Sequence, residues 1–177
     1  MNTTEHFTLK VFLYEIEPQI WRRFSVPADV TFTQLHQIIQ KAMGWLDLQE
    51  HEFLHGKGKK LDQIIGDTSN SHTAASFFQD EKGITLKDFV GRKKTPLRIL
   101  YRYDFTEEWI HEIVIESKDA NTSGQACMLA GENACPIEDS GGPWEHKACL
   151  EGESQWMEDD YDPTRFDPKD VTFKKLP

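Results

Sequence analysis

A chain of 177 residues, 38% of them hydrophobic, has the length of one domain and enough apolar surface for a core, which argues against general disorder. No run approaches the roughly 18 apolar residues of a membrane span, and no basic flank followed by an apolar run opens the sequence, so neither a membrane segment nor a secretory signal is expected. The formal net charge of −10 is concentrated in residues 121–177, with twelve acidic against five basic side chains, a balance that disfavours direct nucleic-acid binding.

Phe7 to Glu15 places Phe7, Leu9, Val11 and Leu13 at alternate positions, the pattern of a strand with one buried face. Glu17-Pro18 interrupts it, and Ile20 to Val26 predicts a second strand in a hairpin with the first. Thr31 with Gln34 forms a capping-box pattern ahead of Leu35, Ile38, Ile39, Ala42 and Met43, so a helix is expected, ending at Gly44. Glu52 to Leu54 suits a third strand. Residues 66–76 are polar and expected to be a loop, and Leu86 to Phe89 reads as a helical turn before Gly91. Pro96 to Phe105 and Trp109 to Glu116 alternate as two more strands around a short connection. Residues 121–143 read as irregular, Trp144 to Trp156 as a second helix, and the end as acidic and proline-punctuated. Cys127, Cys135 and Cys149 are odd in number and fit no disulfide framework, which points to a cytoplasmic setting.

This order predicts the α+β class: a β-grasp (ubiquitin-like) mixed sheet with one packed helix, an extra strand and a C-terminal loop and helix extension. Residues 1–177 are expected to form a single domain. Within it, 6–118 would be the sheet-and-helix core and 119–177 the acidic extension packed on it.

Several strings carry chemistry. His51-Glu52-Phe53-Leu54-His55 matches H-E-x-x-H, which binds zinc when two His lie one turn apart on a helix. On a strand these residues are about 13 Å apart, at roughly 3.3 Å per residue, too far to share an ion. His111, Cys135 and Asp139, with Glu138 and His146 nearby in type, form a donor set suited to zinc or another divalent metal. Cys135 with His111 would alternatively serve as nucleophile and base, although the acidic residues after Cys135 would raise its pKa. Glu138, Asp139, Gly141, Gly142 and Trp144 form an acidic, glycine-rich and aromatic loop. It is expected to meet Tyr103, Asp104, Trp109 and His111, and these nine residues are the candidate binding surface. Trp21 is expected in the core or against the helix, and one of Arg22 and Arg23 is expected to pair with a carboxylate, Asp104 and Glu107 being candidate partners.

Three blocks together carry a resemblance that runs from Phe7 to about Leu176. They are Ile20-Trp-Arg-Arg with Val26-Pro27 and Ala42-Met-Gly-Trp45; Tyr103-Asp-Phe105 with Trp109 and His111; and Ala134-Cys-Pro136 with Glu138-Asp139 and Gly141-Gly142. The sequence resembles the plasmid pRiA4b open-reading-frame-three-like family, which includes passenger proteins of some insertion sequences. It departs from the family pattern at Thr106, where a Gly is usual, at Ser140, where many members have Cys, and at Gln49, where a His is common. Each change removes a flexible hinge or a potential ligand.

The expected function is a non-enzymatic binding or adaptor domain for a protein or peptide partner, working through a sheet edge or the Gly-Gly loop. One alternative is a metal-dependent, hydrolase-like enzyme using His111 with Cys135 or Glu138/Asp139. Another, implied by the resemblance, is an accessory role in mobile-element DNA transactions.

Overall fold

The computed structural model describes residues 4–57, 60–69, 77–121, 124–154 and 161–173. Strands β1 (Thr4–Leu13) and β2 (Trp21–Pro27) form an antiparallel hairpin in which Phe7 faces Val26 and Leu9 faces Phe24. Helix α1 (Phe32–Met43) starts at a closed capping box. The Gln34 N–H donates to the Thr31 hydroxyl at 3.2 Å, and the Gln34 side-chain oxygen accepts from the Thr31 N–H at 2.9 Å. Gly44, at φ 85°, ends the helix.

Next come β3 (His51–Lys57), β4 (Lys60–Gly66), β5 (Phe78–Asp80), the short α2 (Leu86–Val90), β6 (Leu97–Tyr103) and β7 (Trp109–Asn121). The chain closes with β8 (Cys127–Glu132), α3 (Gly142–Leu150) and a 3-10 turn at Pro168–Asp170.

The expected β-grasp does not form. Among the described residues, eight strands make one mixed sheet in the order β5-β4-β3-β6-β7-β1-β2-β8, accompanied by three α-helices. Three pairings overturn the expectation. The β1–β2 hairpin joins the rest of the sheet through a long antiparallel pairing of β1 with β7. β3 and β4 form a second hairpin extended by a parallel β5. The 121–143 stretch, expected to be irregular, supplies β8, which pairs with β2. β8 has a half-buried, weakly alternating pattern because it is an edge strand with no full apolar face to declare it. Helix α3 ends at Leu150 rather than at Trp156, and Trp156 lies outside the described residues.

Cross-strand register puts the buried side chains in rows on the face that α1 covers. Phe53, Tyr101, His111 and Leu13 are successive partners across β3, β6, β7 and β1, and His51, Tyr103 and Trp109 form the next row. Helix α1 lies over β3 and β6. Phe32 meets Phe53 edge-on at 4.9 Å, and Phe89 of α2 packs on Phe32 from the other side at 5.4 Å. Burial of this aromatic layer stabilises the fold by about 1.5–3 kcal/mol for each fully buried large side chain. It also fixes the helix register that places His36 over the sheet.

Candidate metal centre

His36 lies one helical turn before Gln40 on α1, beside the apolar stripe of Leu35, Ile38 and Ile39. It is therefore buried with the core although polar. Its ring stacks face to face on that of His51, with centroids 3.5 Å apart and planes 2° from parallel. His51 reaches that position because it alternates with Phe53 on the inner face of β3.

Each imidazole is held at one nitrogen or both. His36 Nδ1 lies 2.8 Å from the Tyr101 hydroxyl and His36 Nε2 lies 2.7 Å from Asp47 Oδ1. His51 Nε2 lies 2.7 Å from Glu81 Oε2, whose other oxygen accepts from the Thr33 hydroxyl at 3.1 Å. His51 Nδ1 has no hydrogen-bond partner among the described residues.

Donor and acceptor accounting assigns the tautomer of His36. The Gln40 carbonyl accepts from the Asp47 N–H at 3.1 Å, so its amide nitrogen donates to the Tyr101 hydroxyl oxygen at 3.0 Å. Tyr101 then gives its own proton to His36 Nδ1. The ring proton of His36 sits on Nε2 and is donated to Asp47. Burial, assisted by the neighbouring His51, lowers the His36 pKa to about 3, so the His36–Asp47 contact joins a neutral imidazole to a carboxylate. Burial pushes Glu81 up, but the hydrogen bond and charge of His51 outweigh it and hold the Glu81 carboxyl below its ordinary value.

One donor atom each from His36, Asp47 and His51 lies within 4.8 Å of the others, a spacing that could hold a metal ion. The three sit in a cleft of about 600 Å³ that Glu50, Lys82 and Phe105 also line. Asp47, at φ 62°, is carried by the 45–50 connection.

The sequence-nominated residues brace that connection. Glu138 accepts from the Leu46 N–H at 2.7 Å and the Leu48 N–H at 3.3 Å, and it takes a short hydrogen bond from Tyr103. Asp139 Oδ1 accepts from the Gln49 amide at 2.8 Å. The Tyr103 hydroxyl accepts from the Leu48 and Gln49 N–H groups at 2.9 and 3.1 Å. Trp45 donates to the Pro136 carbonyl at 2.8 Å. Asp104, at φ 57°, caps the β6–β7 turn through the Thr106 and Glu107 N–H groups. Glu107 accepts from Trp109 Nε1 at 2.9 Å and from the Gly141 N–H at 2.7 Å. Gly142, at φ 81°, passes so close to this turn that a Cβ would lie 2.9 Å from the Glu107 carbonyl oxygen. Trp144 is 76% exposed.

Asp104, Glu107 and Asp139 are also within ligand spacing of one another, but each accepts from neutral donors already on the page. His111 is fully buried with its pKa lowered to about 4 by desolvation, and its Nδ1 is directed at the Trp109 carbonyl at 3.1 Å. Cys135 is partly covered as a residue, yet desolvation of its thiol pushes the pKa up to about 12. Among the described residues, no ligand-spaced group contains His111, Cys135 or His146. His51 and His55 part company on β3: His55 Nδ1 is directed at the Arg98 carbonyl at 3.1 Å. One arginine does pair with a carboxylate, though with neither Asp104 nor Glu107. Arg23 bonds Glu116 at 2.6 Å, and Arg22 bonds backbone carbonyls.

His36, Asp47 and Glu81 were not nominated by the sequence. The available signal was the polar pair His36 and Gln40 set into a helix stripe, and His51 alternating with Phe53.

A family model described as plasmid pRiA4b ORF-3-like protein matches residues 5–170. The uncharacterized protein y4hQ of Sinorhizobium fredii is 32% identical over 146 residues, covering 81% of this chain and 70% of that one. The crystal structure of MM3350, a protein of unknown function from Methanosarcina mazei Go1, superposes with a TM-score of 0.83 at 34% identity, covering 97% of this chain and 99% of the other. The chain belongs to the plasmid pRiA4b ORF-3-like family.

Proposed function

We propose that this protein is a metal-dependent enzyme of the hydrolytic type, holding one divalent transition metal, such as zinc, on His36, Asp47 and His51. The observation that carries the reading is the convergence of those three donors within 4.8 Å in an open cleft. Two imidazoles and a carboxylate are a common catalytic ligand set, leaving a further position for water. The outer partners fit as well. Glu81 on His51 Nε2 and Tyr101 on His36 Nδ1 occupy the places that orient metal-bound histidines.

Two adjustments accompany binding. In-plane lone pairs of two parallel rings 3.5 Å apart do not converge on one point. The rings must therefore splay. For His36 to offer Nε2, its ring proton would have to move to Nδ1, which would turn the Tyr101 hydroxyl from donor to acceptor there. Held there by His36, Asp47 and His51, the ion would supply Lewis-acid activation of water beside a substrate in the cleft. Among the described residues, Asp47, Glu50, Glu52, Asp67 and Glu81 line the cleft against Lys82 alone, which favours neutral or cationic substrates over phosphate esters.

The test is elemental analysis of tag-free, chelator-free protein, wild type and His51→Ala, followed by a panel of ester, amide and phosphoester substrates. About one equivalent of metal in the wild type, lost in the variant, is the expected result. No metal after incubation with zinc, cobalt or manganese overturns the reading.

Recognition of a protein or peptide partner is a second reading, favoured by the exposed apolar side chains of Leu46, Leu48 and Trp144. A cross-linked or co-purified partner lost on Trp144→Ser supports it, and unchanged capture removes it.

A further inference from the structure

Arg22 is 2% exposed, yet no carboxylate lies within ion-pairing distance of it among the described residues. Its Nε donates to the Ala42 carbonyl at 2.9 Å, and its Nη1 donates to the Trp21 and Glu132 carbonyls at 2.8 and 2.9 Å. The ring of Phe166 covers one face of the guanidinium at 3.6 Å. Gly131 makes that cover possible, because a Cβ there would collide with the Phe166 ring. Carbonyls and an aromatic face satisfy hydrogen bonds but do not neutralise the charge, and guanidinium stays protonated. Burying an uncompensated cation is costly. Nη2 has no partner among the described residues.

Arg22 lines a pocket of about 610 Å³. Two further cations, Lys41 and Arg165, stand at its exposed rim, and neither has an ion-pair partner among the described residues. Three acids also line it. Glu138 is committed to Tyr103 and to the Leu46 and Leu48 N–H groups, and Asp167 caps the Lys169 N–H at 2.9 Å. Asp170 belongs to the 3-10 turn at the pocket's edge. The remaining wall is largely apolar and includes Met43, Pro136 and Val171.

We propose that this pocket binds a small organic acid, its carboxylate on Arg22 Nη2 and its apolar body against Met43, Pro136 and Val171. Among the described residues, the buried Arg22 has no carboxylate at ion-pairing distance, and the wall around it suits carbon rather than a fully hydrated ion. The pocket shares a wall with the metal cleft. Leu46 and Leu48 face the pocket, while Asp47 and Gln49 face the cleft. The proposal is independent of the metal reading, since no residue of the ligand set lines the pocket.

Calorimetric titration of metal-free protein with hexanoate, with neutral hexanamide and with inorganic phosphate tests it. Hexanoate is expected to bind at least about tenfold more tightly than hexanamide, because a charge-assisted hydrogen bond is stronger than a neutral one. Arg22→Gln, shown folded by circular dichroism, is expected to lose that advantage. If that variant does not fold, the rim variant Lys41→Gln/Arg165→Gln is expected to weaken hexanoate severalfold while leaving hexanamide unchanged. Equal binding of hexanoate and hexanamide, or no binding of either, overturns the proposal. Phosphate binding without hexanoate binding overturns it too, reducing the pocket to a site for inorganic anions.

Discussion

The imidazoles of His36 and His51 lie parallel and 3.5 Å apart, one from the helix and one from the sheet, each tied to a different carboxylate. Two protonated imidazoles at this distance would repel, so the stack is stable only while at least one ring is neutral. Burial makes His36 that ring.

Adding zinc or cobalt to metal-free protein should break the stack, because coordination needs the rings splayed. The expected signs are shifted imidazole proton resonances of His36 and His51 and, with cobalt, visible absorption bands. Spectra unchanged at stoichiometric metal would show that the rings do not bind it.

Stability should fall as the solution is acidified from about pH 6.5 toward 4. The folded pKa of His111 is depressed from 6.5 to about 4 and that of His36 to about 3, so the unfolded chain binds protons first. Stability is therefore complete above the unfolded value and declines below it. Glu81, held below its ordinary value, adds a loss of the same sign at lower pH. For His111 the shift corresponds to about 3 kcal/mol. Urea denaturation at pH 7.0 and 4.5 measures the slope, and His111→Phe should flatten it.

Tyr101→Phe should destabilise the protein by about 1–3 kcal/mol, the cost of leaving buried polar partners unsatisfied. It removes the acceptor of Gln40 and the partner of His36 Nδ1 while keeping the ring that packs on Phe53. With the tautomer of His36 freed, metal affinity should change as well. Chemical denaturation and zinc titration of the same variant separate the two effects.

Glu138→Gln should weaken metal binding about tenfold without touching a ligand, the usual scale for outer-shell support. The carboxylate braces Leu46 and Leu48, and with them Asp47 between. Asp47→Asn should cost more. If Glu138→Gln binds metal as the wild type does, the 45–50 connection holds its shape without the brace.

Gly142→Ala should lower stability by more than about 1 kcal/mol, since it combines a positive φ with a Cβ pressed on the Glu107 carbonyl. Gly152→Ala is the control, with φ 76° but nothing within 4 Å. The difference between the two denaturation midpoints isolates the docking of the 141–142 turn on the β6–β7 turn.

Local order was legible in the sequence wherever a single residue type has a single local use. Thr31 and Gln34 cap α1, Gly44 stops it, and the alternation from Phe7 to Leu13 makes β1, because capping, left-handed φ and strand period are properties of neighbouring residues. Glu138 bonds Tyr103, and Trp45, which no sequence pattern placed beside them, stacks on Tyr103. Pairing was not legible. That β1 joins β7, or that the half-buried edge segment Cys127–Glu132 completes the sheet beside β2, depends on contacts about a hundred residues apart in the chain. The candidate metal centre is of the same kind. His36 comes from a helix, Asp47 from a connection, His51 from a strand and Glu81 from a turn after β5, and no spacing in the sequence relates them. Only the packing of α1 across β3 and β6 brings four such separated side chains within reach of one another.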